Sequence, residues 1–180
     1  MDILMEGATS KITPKKLYNM IDALAERAQK GESIDSKYII SYLDKNDTNP
    51  KLVEWVCYAL LFMSIDLNVD LPKLFQKLQQ FQGNCDVENQ ILNVLTKHLW
   101  DVLGNNKNLI TDEYATILRG VCNKKGLENV CTIKDTLCAS AKQLLNRAGF
   151  PFEGARITGG YTKRRKRIQR RFRRTTLKRI

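Results

Sequence analysis

Asn49-Pro50-Lys51-Leu52-Val53-Glu54-Trp55-Val56-Cys57-Tyr58-Ala59-Leu60-Leu61-Phe62-Met63-Ser64-Ile65 is the stretch whose reading decides the fold. Asparagine followed by proline marks a helix start. The asparagine side chain accepts from a free amide, and proline at the first helical position gives up a donor that would be unpaired there anyway. Beyond that start, charge enters only at Lys51 and Glu54. A helix apolar all round is buried all round. Residues 50–65 are therefore predicted to form the central helix of a bundle. The run is too short and too interrupted to span a bilayer.

The punctuation repeats on both sides. Thr13-Pro14 opens a helix in which Leu17, Met20, Ile21, Leu24 and Ala28 recur at three or four residues, with Gly31 as its stop. A short helix over 36–43 turns Ile39, Ile40 and Leu43 inward, and the polar run 45–49 is a loop. Downstream, Leu71-Pro72 is predicted to open a helix striped with Leu74, Phe75, Leu78 and Phe81, with Gly83 after it. Asp86 caps a helix carrying Val87, Ile91, Val94, Leu95, Leu99 and Val102, ended by Gly104. Thr111-Asp112-Glu113 opens a helix through Tyr114, Ile117, Leu118 and Val121. Thr132 and Asp135 have capping-box spacing ahead of Leu137, Cys138, Ala141, Leu144 and Leu145, with Gly149 as the stop. No segment alternates with strand composition. The fold class is all-α: a compact bundle of about seven helices over 1–149. A Gly/Pro linker follows at 150–160 and a flexible basic arm at 161–180.

Charge divides at the same boundary. The 180 residues hold 30 Lys+Arg against 19 Asp+Glu. Residues 156–180 take 12 of the basic residues and no acid, leaving 18 basic against 19 acidic in the body. A uniformly basic binding fold is excluded. The arm holds Lys163, Arg164, Arg165, Lys166, Arg167, Arg170, Arg171, Arg173, Arg174, Lys178 and Arg179. Such a density repels itself and orders only on a source of negative charge, of which nucleic acid is the commonest. Guanidinium groups fork onto phosphates and stack on bases. Nothing in the arm has base-reading geometry, so its binding is expected to be largely sequence-independent. Ile168, Phe172 and Thr176 fall on one helical face, which gives an ordered arm a narrow apolar stripe.

Catalytic patterns are weak. His98, the single histidine, sits mid-helix beside Leu95 and Leu99. Cys57, Cys85, Cys122, Cys131 and Cys138 are an odd count without framework spacing or a C-x-x-C pair. The N-terminal Met1-Asp2-Ile3-Leu4-Met5-Glu6 has neither the basic nor the apolar region of a secretory signal. The cysteines are therefore expected to be reduced packing thiols in an intracellular, reducing setting. Asp66-x-Asn68-x-Asp70 begins like a calcium loop but places Leu71 and Lys77 where glycine and glutamate are required. No phosphate-binding loop, dinucleotide fingerprint or nucleophile elbow is present. The expectation is no catalytic residue, no metal, no cofactor and no enzyme activity.

A globular domain followed by Gly-Gly and a terminal Lys/Arg-rich tail is similar to many virion and DNA-associated proteins of large double-stranded DNA viruses. Ile157-Thr158-Gly159-Gly160 before Tyr161 also resembles the sites cut by adenovirus-type maturation proteases: an aliphatic residue, any residue, then Gly-Gly. The resemblance implies processing at Gly159 and Gly160. It would release a basic peptide like those that condense packaged DNA, and the setting would be a virion or the host nucleus or cytoplasm. The function expected is nucleic-acid binding by the arm, with protein contacts or self-association through the body. The rival is a structural or minor capsid protein whose arm docks on an acidic protein surface.

Overall fold

In the computed structural model, which describes residues 14–44, 49–123 and 131–152, eight α-helices form. They are α1 (Pro14–Gln29), α2 (Lys37–Ile40), α3 (Pro50–Leu60), α4 (Leu67–Gln80), α5 (Cys85–Leu99), α6 (Val102–Asn105), α7 (Asp112–Cys122) and α8 (Lys134–Ala148). A 3₁₀ turn, Ser41–Leu43, continues α2, and another, Lys107–Leu109, follows α6. No strand forms among the described residues; a single parallel bridge pairs Asp35 with Ser64. The all-α expectation holds. The helical unit runs to Phe150, and Pro151–Ile180 is a separate unit.

Local chemistry sets most helix ends. Asn49 Oδ1 accepts from the Lys51 N–H at 2.8 Å, with Pro50 in the first position of α3. Thr111 Oγ1 accepts from the Tyr114 N–H to start α7. Gly31 (φ 93°) and Gly149 (φ 85°) close α1 and α8 in the left-handed conformation that glycine adopts without a Cβ penalty. Both make paired return bonds: Gly31 N–H to Ala28 O with Glu32 N–H to Arg27 O, and Gly149 N–H to Asn146 O with Phe150 N–H to Leu145 O. Phe150, read as the first linker residue, is thus tied to α8, and its ring lies 6.0 Å from the Arg119 guanidinium.

Several helix boundaries differ from the sequence reading, beginning with α3, which ends at Leu60 rather than at residue 65. α4 begins at Leu67 rather than at Leu71-Pro72, because Asp66 caps it by accepting from the Asn68 N–H at 2.9 Å. Pro72 sits in the second turn. The carbonyl it leaves without an amide partner, that of Asn68, belongs to an exposed residue that water can reach. Asn84, not Asp86, caps α5, and Glu88 folds back so that its Oε1 accepts from the Gly83 N–H at 3.1 Å. α5 stops at Leu99, and Val102 and Gly104 belong to the separate α6. Thr132 does not cap α8, whose first residue follows Ile133 without a side-chain cap.

The central helix is α5, not α3. α4, α5, α7 and α8 close a four-helix ring: α5 packs on α8, α8 on α7, α7 on α4 and α4 on α5. Phe75 of α4 and Tyr114 of α7 stack at 4.0 Å between centroids, which joins those two helices. α3 layers on the outside of α5, and α1 on α3. Val87, Ile91, Val94, Leu95 and Leu99 of α5 are fully buried. α3 buries Val53, Val56, Cys57, Ala59 and Leu60 but leaves Trp55 half-buried and Tyr58 41% exposed.

A second correction concerns the cysteines. Cys85 is bonded to Cys131 and Cys122 to Cys138, so only Cys57, buried in α3, is the packing thiol expected of all five. The first bond ties the start of α5 to the chain just ahead of α8, and the second ties the end of α7 to α8.

Candidate functional site

The ends of α3, α4 and α5 meet in a network of polar groups. Asp70, 1% exposed, accepts from the Ser36 hydroxyl and from the Asp66 N–H through the same Oδ2. That carboxylate joins the loop before α2 to the first turn of α4. Asp66, Asn68 and Asp70, which open like a calcium loop, are a helix cap, an exposed first-turn residue and this buried tie. Among the described residues no group of three or more His, Cys, Asp or Glu side chains is placed to hold a metal ion.

His98 serves the end of α3. Its Nε2 lies 2.9 Å from the Leu60 carbonyl oxygen. A carbonyl only accepts, so that nitrogen carries the hydrogen. Lys97 donates to the next carbonyl, Leu61, and its ammonium lies 5.3 Å from the Phe62 ring centroid. Two side chains of α5 thereby answer the free carbonyls of α3. Burial is the largest influence on His98 and lowers its pKa. Burial also pushes the Cys57 thiol far up, and the other four cysteines are bonded, so no thiolate stands ready for a Cys–His pair.

The outward face of α3 is aromatic where a solvated face would be polar. Lys51, Glu54, Trp55 and Tyr58 line an open cleft of about 280 Å³ with Asp22 of α1 and Gln90 of α5. Tyr18 of α1 packs on Trp55 at 5.5 Å between centroids. The Tyr58 hydroxyl accepts from Gln29 Nε2 at 3.0 Å, and its ring meets Phe62 edge-on at 5.4 Å. Glu54 pairs with Lys51 at 2.8 Å and, by hydrogen bond first and by charge second, holds that ammonium above its usual pKa. Such a surface suits protein contact: flat rings held by neighbours, with polar groups at the edge. Sequence reasoning missed it by reading Trp55 and Tyr58 as core. The available signal was that both are amphipathic aromatics, comfortable with one end wet.

Every basic residue assigned to the arm, Lys163 through Arg179, lies outside the described residues, as do Gly159 and Gly160. Of the body cations, Lys124 and Lys125 also lie outside. Arg147 is exposed on α8 and occupied: its Nε donates to the Trp100 carbonyl at 3.1 Å and its guanidinium lies 5.2 Å from the Trp100 ring centroid. No described helix is long and apolar enough to cross a membrane. No protein-family model, curated protein or solved structure matches the chain.

Proposed function

We propose that the chain is a non-enzymatic nucleic-acid-binding protein that grips the phosphate backbone through its Arg-rich C-terminal arm, largely without regard to base sequence. One observation carries this reading: 12 cations and no acid in residues 156–180, against 18 cations and 19 acids in the remainder. The described body is consistent with that partition. Arg27 pairs with Glu32, Lys37 with Asp35, Lys51 with Glu54 and Lys73 with Asp44, so four of its cations are answered by acids of the same unit. Counterion release from the phosphates supplies the free energy of arm binding, and guanidinium forks fit the phosphate oxygens bidentately. A virion or nucleoprotein setting, with processing after Gly159-Gly160, rests on the resemblance of the tail.

A second reading is a structural or minor capsid protein whose arm meets an acidic protein surface. The exposed aromatic face of α3 favours a protein partner for the body under either reading. Binding of the full-length chain and of a chain ending at Gly160 to labelled duplexes of unrelated sequence separates the two. The full chain is expected to bind all duplexes with similar affinity, and the shortened chain to lose about a hundredfold or more. Undiminished duplex binding by the shortened chain would overturn the proposal.

A further inference from the structure

The two disulfides interleave along the chain, and their surroundings differ. Cys85 and Cys131 both line an open cleft of about 530 Å³, together with Gly83, Asn84, Asp86 and Thr132. Neither Cys122 nor Cys138 lines it. Within the first pair, Cys85 is half-buried while Cys131 is only 6% exposed; in the second pair Cys122 and Cys138 are both half-buried. Cys57 is fully buried in α3 and borders neither this cleft nor the one beside α3.

We propose that Cys85–Cys131 is a thiol–disulfide exchange site whose reaction partner is a small-molecule thiol entering this cleft. The incoming thiolate attacks Sγ of Cys85, the sulfur of the more exposed residue. A bond forms between the small molecule and Cys85, and the Cys85–Cys131 bond breaks. Its electron pair leaves on Cys131, which takes a proton from water. A second thiolate attacks the small-molecule sulfur of the mixed disulfide and releases Cys85 as a thiolate, protonated in turn. Two small thiols are oxidised to one small disulfide, and one protein disulfide is reduced to two thiols. A small disulfide as oxidant runs the same steps backwards.

Charge does not set the order in which the two bonds open. Cys85 is the first residue of the 15-residue α5, whose N-terminal amides favour a thiolate, but Asp86 and Glu88 in the same turn oppose it. Exposure does not set it either, since Cys122 and Cys138 are both half-buried; the cleft does, because of the four bonded cysteines only Cys85 and Cys131 line it. The consequence is local. Opening this bond frees Cys131, just ahead of α8, from α5, while Cys122–Cys138 still ties α7 to α8.

The test uses the folded full-length chain and reduced glutathione as the probe. After incubation the sample is quenched by alkylation, digested without further reduction and mapped by mass spectrometry. A Cys85–glutathione adduct and alkylated Cys131 are expected about tenfold faster than any label on Cys122 or Cys138, with Cys57 unlabelled. Equal or faster opening of Cys122–Cys138 would overturn the proposal. So would opening of Cys85–Cys131 at no more than the rate of global unfolding, followed by circular dichroism in the same buffer. A Cys122→Ser/Cys138→Ser variant that folds should keep the fast phase; where it fails to fold, the wild-type kinetics decide alone. A chain that retains five alkylatable thiols after treatment with oxidised glutathione also overturns it.

Discussion

Replacing Ile91 with alanine tests which helix is the centre of the bundle. Ile91 of α5 is fully buried. The substitution removes three carbons, worth about 2.5 kcal/mol of lost transfer free energy. α5 is enclosed by α3, α4, α6 and α8, so the vacated space cannot collapse freely and the cavity adds to the loss. We expect a total of about 4 kcal/mol. For a unit of 150 residues this lowers the melting temperature by about 8–16 °C. Tyr58→Ala is the matched control on α3. Tyr58 is 41% exposed and loses a surface hydrogen bond to Gln29 and an edge contact with Phe62. Its cost should stay below about 1.5 kcal/mol. Urea unfolding followed by far-ultraviolet circular dichroism, with the disulfides kept intact, measures both. If Tyr58→Ala matches or exceeds Ile91→Ala, α3 is the core helix and α5 is not the centre of the bundle.

Asp70→Ala strands the buried Ser36 hydroxyl and removes the acceptor of the part-buried Asp66 N–H, and should cost about 2 kcal/mol by the same unfolding assay, whereas an effect under about 0.5 kcal/mol would mean the tie is idle. His98 has a folded-state pKa below its unfolded value, so its contribution is full above the unfolded pKa of about 6.5 and is lost as pH falls through the folded value. His98→Gln should flatten stability between about pH 7 and pH 5; an unchanged profile contradicts the assignment. Alkylation in denaturant without reductant should add one group, at Cys57, and five after reduction; five in both cases would mean that neither disulfide forms. From loop separations of 16 and 46 residues, losing Cys122–Cys138 alone should cost about 3 kcal/mol and losing Cys85–Cys131 alone about 4 kcal/mol, checked with serine pairs.

What was legible in the sequence was written over three or four residues. Asn49-Pro50, Thr111, Gly31 and Gly149 mark their boundaries because a cap or a left-handed stop involves only the adjacent turn. Pro72 misled for the complementary reason. A proline is compatible with a first turn, but the Asp66 cap and the anchoring of Asp70 to Ser36 start α4 earlier. The apolar count of residues 50–65 exceeds that of any other run, yet burial depends on which neighbours arrive, and those come to α5. Trp55 and Tyr58 show the difference: apolar by composition, half-buried and exposed in the fold. The disulfides were illegible because pairing is decided by tertiary proximity; Cys85 and Cys131 come within 6.0 Å between Cα atoms only after α5 and α8 pack. The groove beside α3 joins residues of three helices and leaves no local signature.

The charge partition is the central claim, and salt dependence tests it most directly. The equilibrium constant of the full-length chain for a non-specific DNA duplex is measured across a series of potassium chloride concentrations. Eleven arm cations all engaged with phosphates would give a log–log slope of about −10, and partial engagement about −5 or steeper. We predict a slope in that range for the full chain and its loss in a chain ending at Gly160. A slope of about −2 or shallower, or the same slope with and without the arm, would contradict the claim.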